Sequence, residues 1–167
     1  MNIRIAVSIS QTACVGLIGV FACLVSLNNI LDYQSNFEFV KHVLSMDTTF
    51  EGNKLMNRAI ESSYLHHTAY AVIIFLEAAI GLINLVAAGL MIAAIYARDS
   101  MRFTRAKGVA IVGLTIGFIL WSGARSWKKQ TNTCLIYEGF LDPVLALIFG
   151  FFLLAWHAPG GAANIDK

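Results

Sequence analysis

Glu77 is the residue with the most to explain. It is the single charged residue in an otherwise apolar run, Ala69–Ala97. An acid near the centre of a membrane helix costs about 2.5–3.5 kcal/mol on insertion scales, so it requires a partner or a wet cavity. At helical spacing its face reads His66, Tyr70, Ile73, Glu77, Gly81, Asn84, Ala88. Such a polar stripe is expected to face the interior of a bundle. Two roles fit it. Glu77 could be a proton-accepting or substrate-contacting carboxylate, with Asn84 and Tyr70 lining the same cavity. Alternatively, it is a hydrogen-bonded acid that fixes helix packing.

Imidazoles are the other groups with chemical potential. His42, His66 and His67 can meet near Asp47 at one membrane surface, while His157 falls on the opposite side. Neighbouring residues on a helix point about 100° apart, so His66 and His67 do not share one zinc ion easily. Membrane haem wants imidazoles from facing helices, and the first and third apolar runs contain no histidine. A quinone- or lipid-modifying enzyme built on His42, Asp47, His66 and His67 lacks any recognised nucleophile–base spacing. Asn28, Asn29, Asp32, Tyr33 and Asn36 form a dense polar cluster at the end of the first run. They either cap and hold surface helices or bind a lipid or quinone headgroup. The three cysteines, Cys14, Cys23 and Cys134, include no C-x-x-C pair and form no disulfide framework. Cys14 and Cys23 are expected to pack as small apolar residues. No catalytic, metal-binding or cofactor-binding residue is assigned, and no cofactor is expected.

Composition says what must position these groups. Of 167 residues, 57% are hydrophobic and 13% charged, against roughly 45–50% and about 25% in an ordinary globular domain. A chain this small cannot bury so much apolar surface in water. A soluble enzyme and a nucleic-acid binder are both excluded, and an integral membrane protein is implied. Four spans are read: 5–27, 69–97, 108–124 and 143–158, each judged against the roughly 17–25 apolar residues that a membrane helix needs. Asp142-Pro143 reads as an N-cap followed by proline at the first helical position. The fold class predicted is all-α: a single integral membrane domain over residues 1–167, a four-helix transmembrane bundle with short amphipathic helices in the long first connection. A cleaved signal peptide is disfavoured, because the first apolar run exceeds the usual core of about 7–15 residues and no A-x-A site follows.

The first connection, residues 28–68, is too long for a bare loop in a compact protein. Phe37, Val40, Val43 and Leu44 give one amphipathic turn, and Leu55, Met56, Ala59 and Ile60 give a second. Two short helices on the outer membrane surface are expected. Arg98, Arg102, Arg105 and Lys107 make a dense basic connection between the second and third spans, whereas the first connection holds three bases and five acids. That asymmetry favours both termini in the cytoplasm. Ser8, Thr12, Gly16, Gly19, Cys23 and Ser26 form a small-residue stripe on the first span. Ala106, Ala110, Gly113 and Gly117, continued by Trp121, form another on the third. Both are expected to serve helix packing within the chain rather than a dimer interface.

Several blocks carry a resemblance. They are Leu27-Asn28-Asn29-Ile30-Leu31-Asp32-Tyr33, then Val43-Leu44-Ser45-Met46-Asp47-Thr48-Thr49-Phe50, then His66-His67 with Glu77, then Arg105-Ala106-Lys107. Together they resemble a bacterial family of predicted small integral membrane proteins, catalogued as a domain of unknown function, over about residues 10–121. The resemblance implies a four-helix inner-membrane protein and no activity. That family usually carries a tryptophan-rich outer segment before its last helix. Here segment 125–141 has one tryptophan, Trp127, and departs from the pattern. The function expected is a non-enzymatic accessory or interaction subunit of a bacterial inner membrane. Its partners would be membrane lipids and another membrane or periplasmic protein, or a second copy of itself, and not nucleic acid. The alternative is a small transporter or proton-coupled carrier that uses Glu77.

Overall fold

A computed structural model of the chain describes residues 3–47 and 56–128. Among the described residues there are four α-helices and no strand: α1 (Ile3–Leu31), α2 (Tyr33–Ser45), α3 (Ser63–Tyr96) and α4 (Ser100–Lys128). One 3-10 turn, Met56–Arg58, precedes α3. Stretches Ile5–Leu31, Ser63–Tyr96 and Ser100–Trp121 are long and apolar enough to cross a membrane. The span read at 143–158, its Asp142-Pro143 cap, Cys134 and His157 lie outside the described residues.

The helices outrun their apolar runs. Counting uncharged residues ends a span at the first charge, whereas the backbone ladder continues until something caps it. α3 has 34 residues, about 50 Å at 1.5 Å per residue, against a hydrocarbon core of about 30 Å. Its first turns, with His66 and His67, therefore reach past the hydrocarbon, and these residues belong to the helix rather than to the connection. At the other end the connection read from Arg98 to Lys107 shrinks to Ala97, Arg98 and Asp99. Arg102, Arg105 and Lys107 ride on the first turns of α4. Arg98 is left-handed (φ 52°). Its N–H bonds to Ile95 O at 3.1 Å, and the Asp99 N–H bonds to Ala94 O at 3.1 Å, the paired bonds of a Schellman motif. Asp99 Oδ1 then accepts the Arg102 N–H at 2.9 Å and starts α4.

α3 lies between α1 and α4 and runs antiparallel to both. Lipid gives helices no hydrophobic reason to associate, so close approach through small residues supplies the contact. Both small-residue stripes face α3. A Cβ added at Gly81 would meet Cys23 Sγ and lie 2.9 Å from the Cys23 backbone nitrogen and 3.2 Å from Gly19 O. A Cβ at Gly113 would lie 2.6 Å from Asn84 Nδ2, and one at Gly117 would lie 3.5 Å from Ile80. Beyond these crossings, Val15 of α1, Ala87, Ala88, Met91 and Ala94 of α3, and Phe103, Ala106, Ala110 and Leu114 of α4 form one buried core.

α1 breaks at Asp32, whose φ −112° and ψ 53° leave the helical region. The break does not interrupt the bonding, since the Asp32 N–H still reaches Asn28 O at 2.9 Å. α2 then packs against α3, α1 and α4 at the end of the bundle. Of the second amphipathic turn read from Leu55 to Ile60, the described part is the 3-10 turn, followed by the non-helical stretch 59–62.

Candidate functional site

The residues singled out from the sequence gather mainly where α1, α2 and α3 meet. Glu77 sits on the buried face of α3 at 5% exposure. Asn29, at the end of α1, donates from Nδ2 to Glu77 Oε2 at 2.7 Å. The Asn29 carbonyl accepts the Tyr70 hydroxyl at 3.0 Å. One turn deeper, Ser26 Oγ donates to Ile74 O at 3.2 Å. Glu77 is thus partnered by a neutral amide, and among the described residues it makes no ion pair.

Above this layer lies an aromatic stack. The Phe37 and His67 rings are 4.0 Å apart and 5° from parallel. Tyr33 is stacked on Phe37 at 5.7 Å, and its hydroxyl bonds to His67 Nδ1 at 2.8 Å. Tyr70 closes the group from below, 4.8 Å from Tyr33. Tyr33 and Phe37 are one turn apart on α2, so both present to the same face. The stack therefore clamps α2 on the first turns of α3. Phe37 and Tyr33 were legible as an amphipathic turn and a polar cluster, but their stacking on an imidazole had no signal in the sequence.

The histidines do not converge. His66 is buried and hydrogen-bonds through Nε2 to Ile60 O at 2.6 Å. Ile60 in turn donates its N–H to Leu44 O at 2.9 Å. His67, one position on, is exposed and bonds to Tyr33. His42 pairs with Asp47 at 2.7 Å, Nδ1 to Oδ2, on the outer side of α2. Each of the three described imidazoles is thus assigned to a different local contact, and among the described residues no group of three His, Cys, Asp or Glu could hold a metal ion.

The rest of the cluster divides by depth. Asn28 and Asp32 are exposed at the α1–α2 break. The Asp32 carbonyl accepts Asn36 Nδ2 at 3.1 Å, while its side chain makes no capping bond. Asn84 lies two turns below Glu77, fully buried, with its Nδ2 beside Gly113 of α4. Its Nδ2 donates to Ile80 O at 2.8 Å, and its Oδ1 has no hydrogen-bond partner among the described residues. Glu77 and Asn84 share the α3 stripe, but Glu77 bonds to α1 whereas Asn84 borders α4. On the outer face of α2, Lys41 Nζ bonds to Glu38 Oε2 at 3.0 Å. That hydrogen bond holds the Glu38 carboxyl below its ordinary value.

Chemically, the arrangement is a set of closed pairs. Most of the groups capable of acid–base work here are held in contacts that join one segment to another. No curated protein and no solved structure matches the chain. A family profile does, over residues 7–125, which spans α1 through nearly all of α4. The described helices, three of them able to cross a membrane, are what that profile's description requires. The chain belongs to the DUF2165 family of predicted small integral membrane proteins.

Proposed function

We propose that this integral membrane protein is a non-enzymatic accessory or interaction subunit of a bacterial inner membrane. In this reading both termini are cytoplasmic and the α2 end is extracytoplasmic, where it docks a membrane or periplasmic partner. One observation carries it. The polar and aromatic groups of the cluster hold α2 and residues 60–62 on α3, through His66–Ile60, His67–Tyr33 and Phe37–His67. The stack and the two hydrogen bonds together fix α2 on α3 as a platform. Its outward side presents Gln34, Ser35 and Phe39, and the neighbouring first turn of α3 presents Tyr64 at 78% exposure. Exposed aromatics on a rigid support are the usual anchors of protein contacts.

The test is native mass spectrometry of the tagged protein, extracted in mild detergent from its own host. The expected result is added mass from another polypeptide, lost in a Phe37→Ala variant that releases α2. Recovery of this chain alone, repeated in several mild detergents, would overturn the reading; a homodimer would replace it with self-association.

A second reading keeps Glu77 as the working group of a small proton-coupled carrier. It is favoured by one observation: a buried acid inside a membrane-crossing helix has a neutral amide as its partner. Proteoliposomes loaded with a pH-sensitive dye would then show proton uptake that Glu77→Gln abolishes. Uptake equal to that of protein-free vesicles would remove this reading.

A further inference from the structure

The opposite end of the bundle carries a different surface. Ala97–Asp99 join α3 to α4, and four bases lie within ten residues of Arg98 against one acid, Asp99. The bases do not all point the same way. Lys107 Nζ lies 5.4 Å from the centroid of the Phe103 ring, and Phe103 is turned to the core. Arg102 and Arg105 are exposed and three residues apart, which makes them neighbours on one helix face, about 5–6 Å apart at Cβ. Arg102 is held in place by its Nε, 3.0 Å from Asp99 Oδ2, with the side chain still 73% exposed. Arg105 makes no hydrogen bond or ion pair with a described residue.

The same face continues downward as apolar surface. At i+7, i+10 and i+14 from Arg102 stand Val109, Val112 and Ile116, with Ile119 beside them. Val112 is 55% exposed and Ile119 is 65% exposed. Two guanidinium groups thus stand above a bare aliphatic strip, on a helix that is apolar enough to span a membrane. The charge sits where the apolar surface ends, which is the height of lipid phosphates. That pattern matches one occupant: a negatively charged headgroup with an acyl chain below it. A soluble acidic protein would use the guanidinium pair but leave the strip without a partner at that depth.

We propose that Arg102 and Arg105 form a headgroup site for an anionic phospholipid, whose acyl chain lies along Val109, Val112 and Ile119. Guanidinium groups suit this role because they bind phosphate oxygens in a fork geometry. Asp99 serves the site by orienting Arg102. This site is independent of the α2 platform, and it would stand if that platform docked nothing.

The full-length protein, purified and delipidated in a neutral detergent, is titrated with phosphatidylglycerol or phosphatidylcholine. Bound lipid is counted by native mass spectrometry. Basic residues near anionic lipid contribute about 1 kcal/mol each, so the double variant Arg102→Gln/Arg105→Gln should bind phosphatidylglycerol about 30-fold more weakly. Phosphatidylcholine binding should not change. The single variant Arg105→Gln leaves the Asp99–Arg102 cap intact and should give about a fivefold loss at unchanged helix content. Equal binding of the two lipids by the wild-type protein would overturn the proposal. So would an undiminished phosphatidylglycerol preference in both variants.

Discussion

Removing the amide of Asn29 tests whether Glu77 belongs to the architecture. Asn29→Ala deletes the 2.7 Å bond from Nδ2 to Glu77 Oε2 but keeps the Asn29 carbonyl that Tyr70 uses. A buried acceptor left without its donor costs about 1–3 kcal/mol. Measured interhelical polar contacts in bilayers average about 0.6 and reach about 1.7 kcal/mol. Glu77 is at 5% exposure, so water cannot readily replace the lost donor, and the effect should fall near the upper bilayer figure, about 1–2 kcal/mol. Glu77→Met removes the acceptor while keeping the volume. In the double variant neither partner remains to be satisfied, so stability should return close to that of the wild type. Reversible unfolding in mixed micelles, followed by tryptophan fluorescence, gives all four corners of the cycle. The expected coupling is at least about 1 kcal/mol, the lower bound for an unsatisfied buried group. Additive effects, or an Asn29→Ala protein as stable as the wild type, would refute a structural role for this contact.

Gly81→Ala should cost about 1–3 kcal/mol by overpacking, because the added Cβ would press on Cys23 and Gly19 backbone atoms. Gly89→Ala has open space around it and should be neutral or slightly stabilising; the same unfolding assay compares the two. Arg98→Gly should stabilise the α3–α4 turn by about 0.5–1 kcal/mol, since φ 52° strains any residue with a Cβ, and a higher midpoint would show it. Glu38 has a lowered folded-state pKa because of Lys41. Its support of α2 is therefore present above the unfolded carboxylate pKa and is lost as pH falls through the folded value. The protection of α2 amides, corrected for the intrinsic exchange rate at each pH, should fall on acidification, with a smaller fall in Glu38→Gln.

How much of this was legible varies with the kind of signal. The stripe from His66 to Ala88 could be read because its spacing repeats a helical face, and His66, Tyr70, Glu77, Gly81, Asn84 and Ala88 are indeed buried. Gly113 and Gly117 could be read as a packing face for the same reason. Periodicity names a face but not the neighbour it meets. Nothing in the spacing distinguishes Glu77, which meets α1, from Asn84, which meets α4. Apolar runs mark spans, not helix ends, and polar residues continue the helices beyond those runs, as at Ser63 and at Ser100. The break at Asp32 has neither glycine nor proline to announce it. His66 and His67 looked alike in sequence, yet one is buried against Ile60 and the other is exposed against Tyr33 and Phe37.

The polar contacts between α1 and α3 also bear on a question that the glycine contacts leave open. Small residues let two helices approach, but a ridge of aliphatic side chains can be met in more than one register, and lipid supplies no preference between them. Asn29–Glu77, Tyr70–Asn29 and Ser26–Ile74 are made together in one register only. A slide of one turn, about 5.4 Å, would set Glu77 against Val25 in place of Asn29, or carry it to the end of α1 at the Asp32 break. It would also separate Tyr33 and Phe37 from His67 and release α2. A register held by Glu77 would also fix where α2 docks, two or three turns away. Glu77→Gln keeps an acceptor for Asn29 and should preserve that register, whereas Glu77→Leu should loosen α2 as well as the α1–α3 contact. Hydrogen exchange of α2 separates the two: protection retained in Gln and lost in Leu is the expected pattern, and equal protection in both would show that packing alone sets the register.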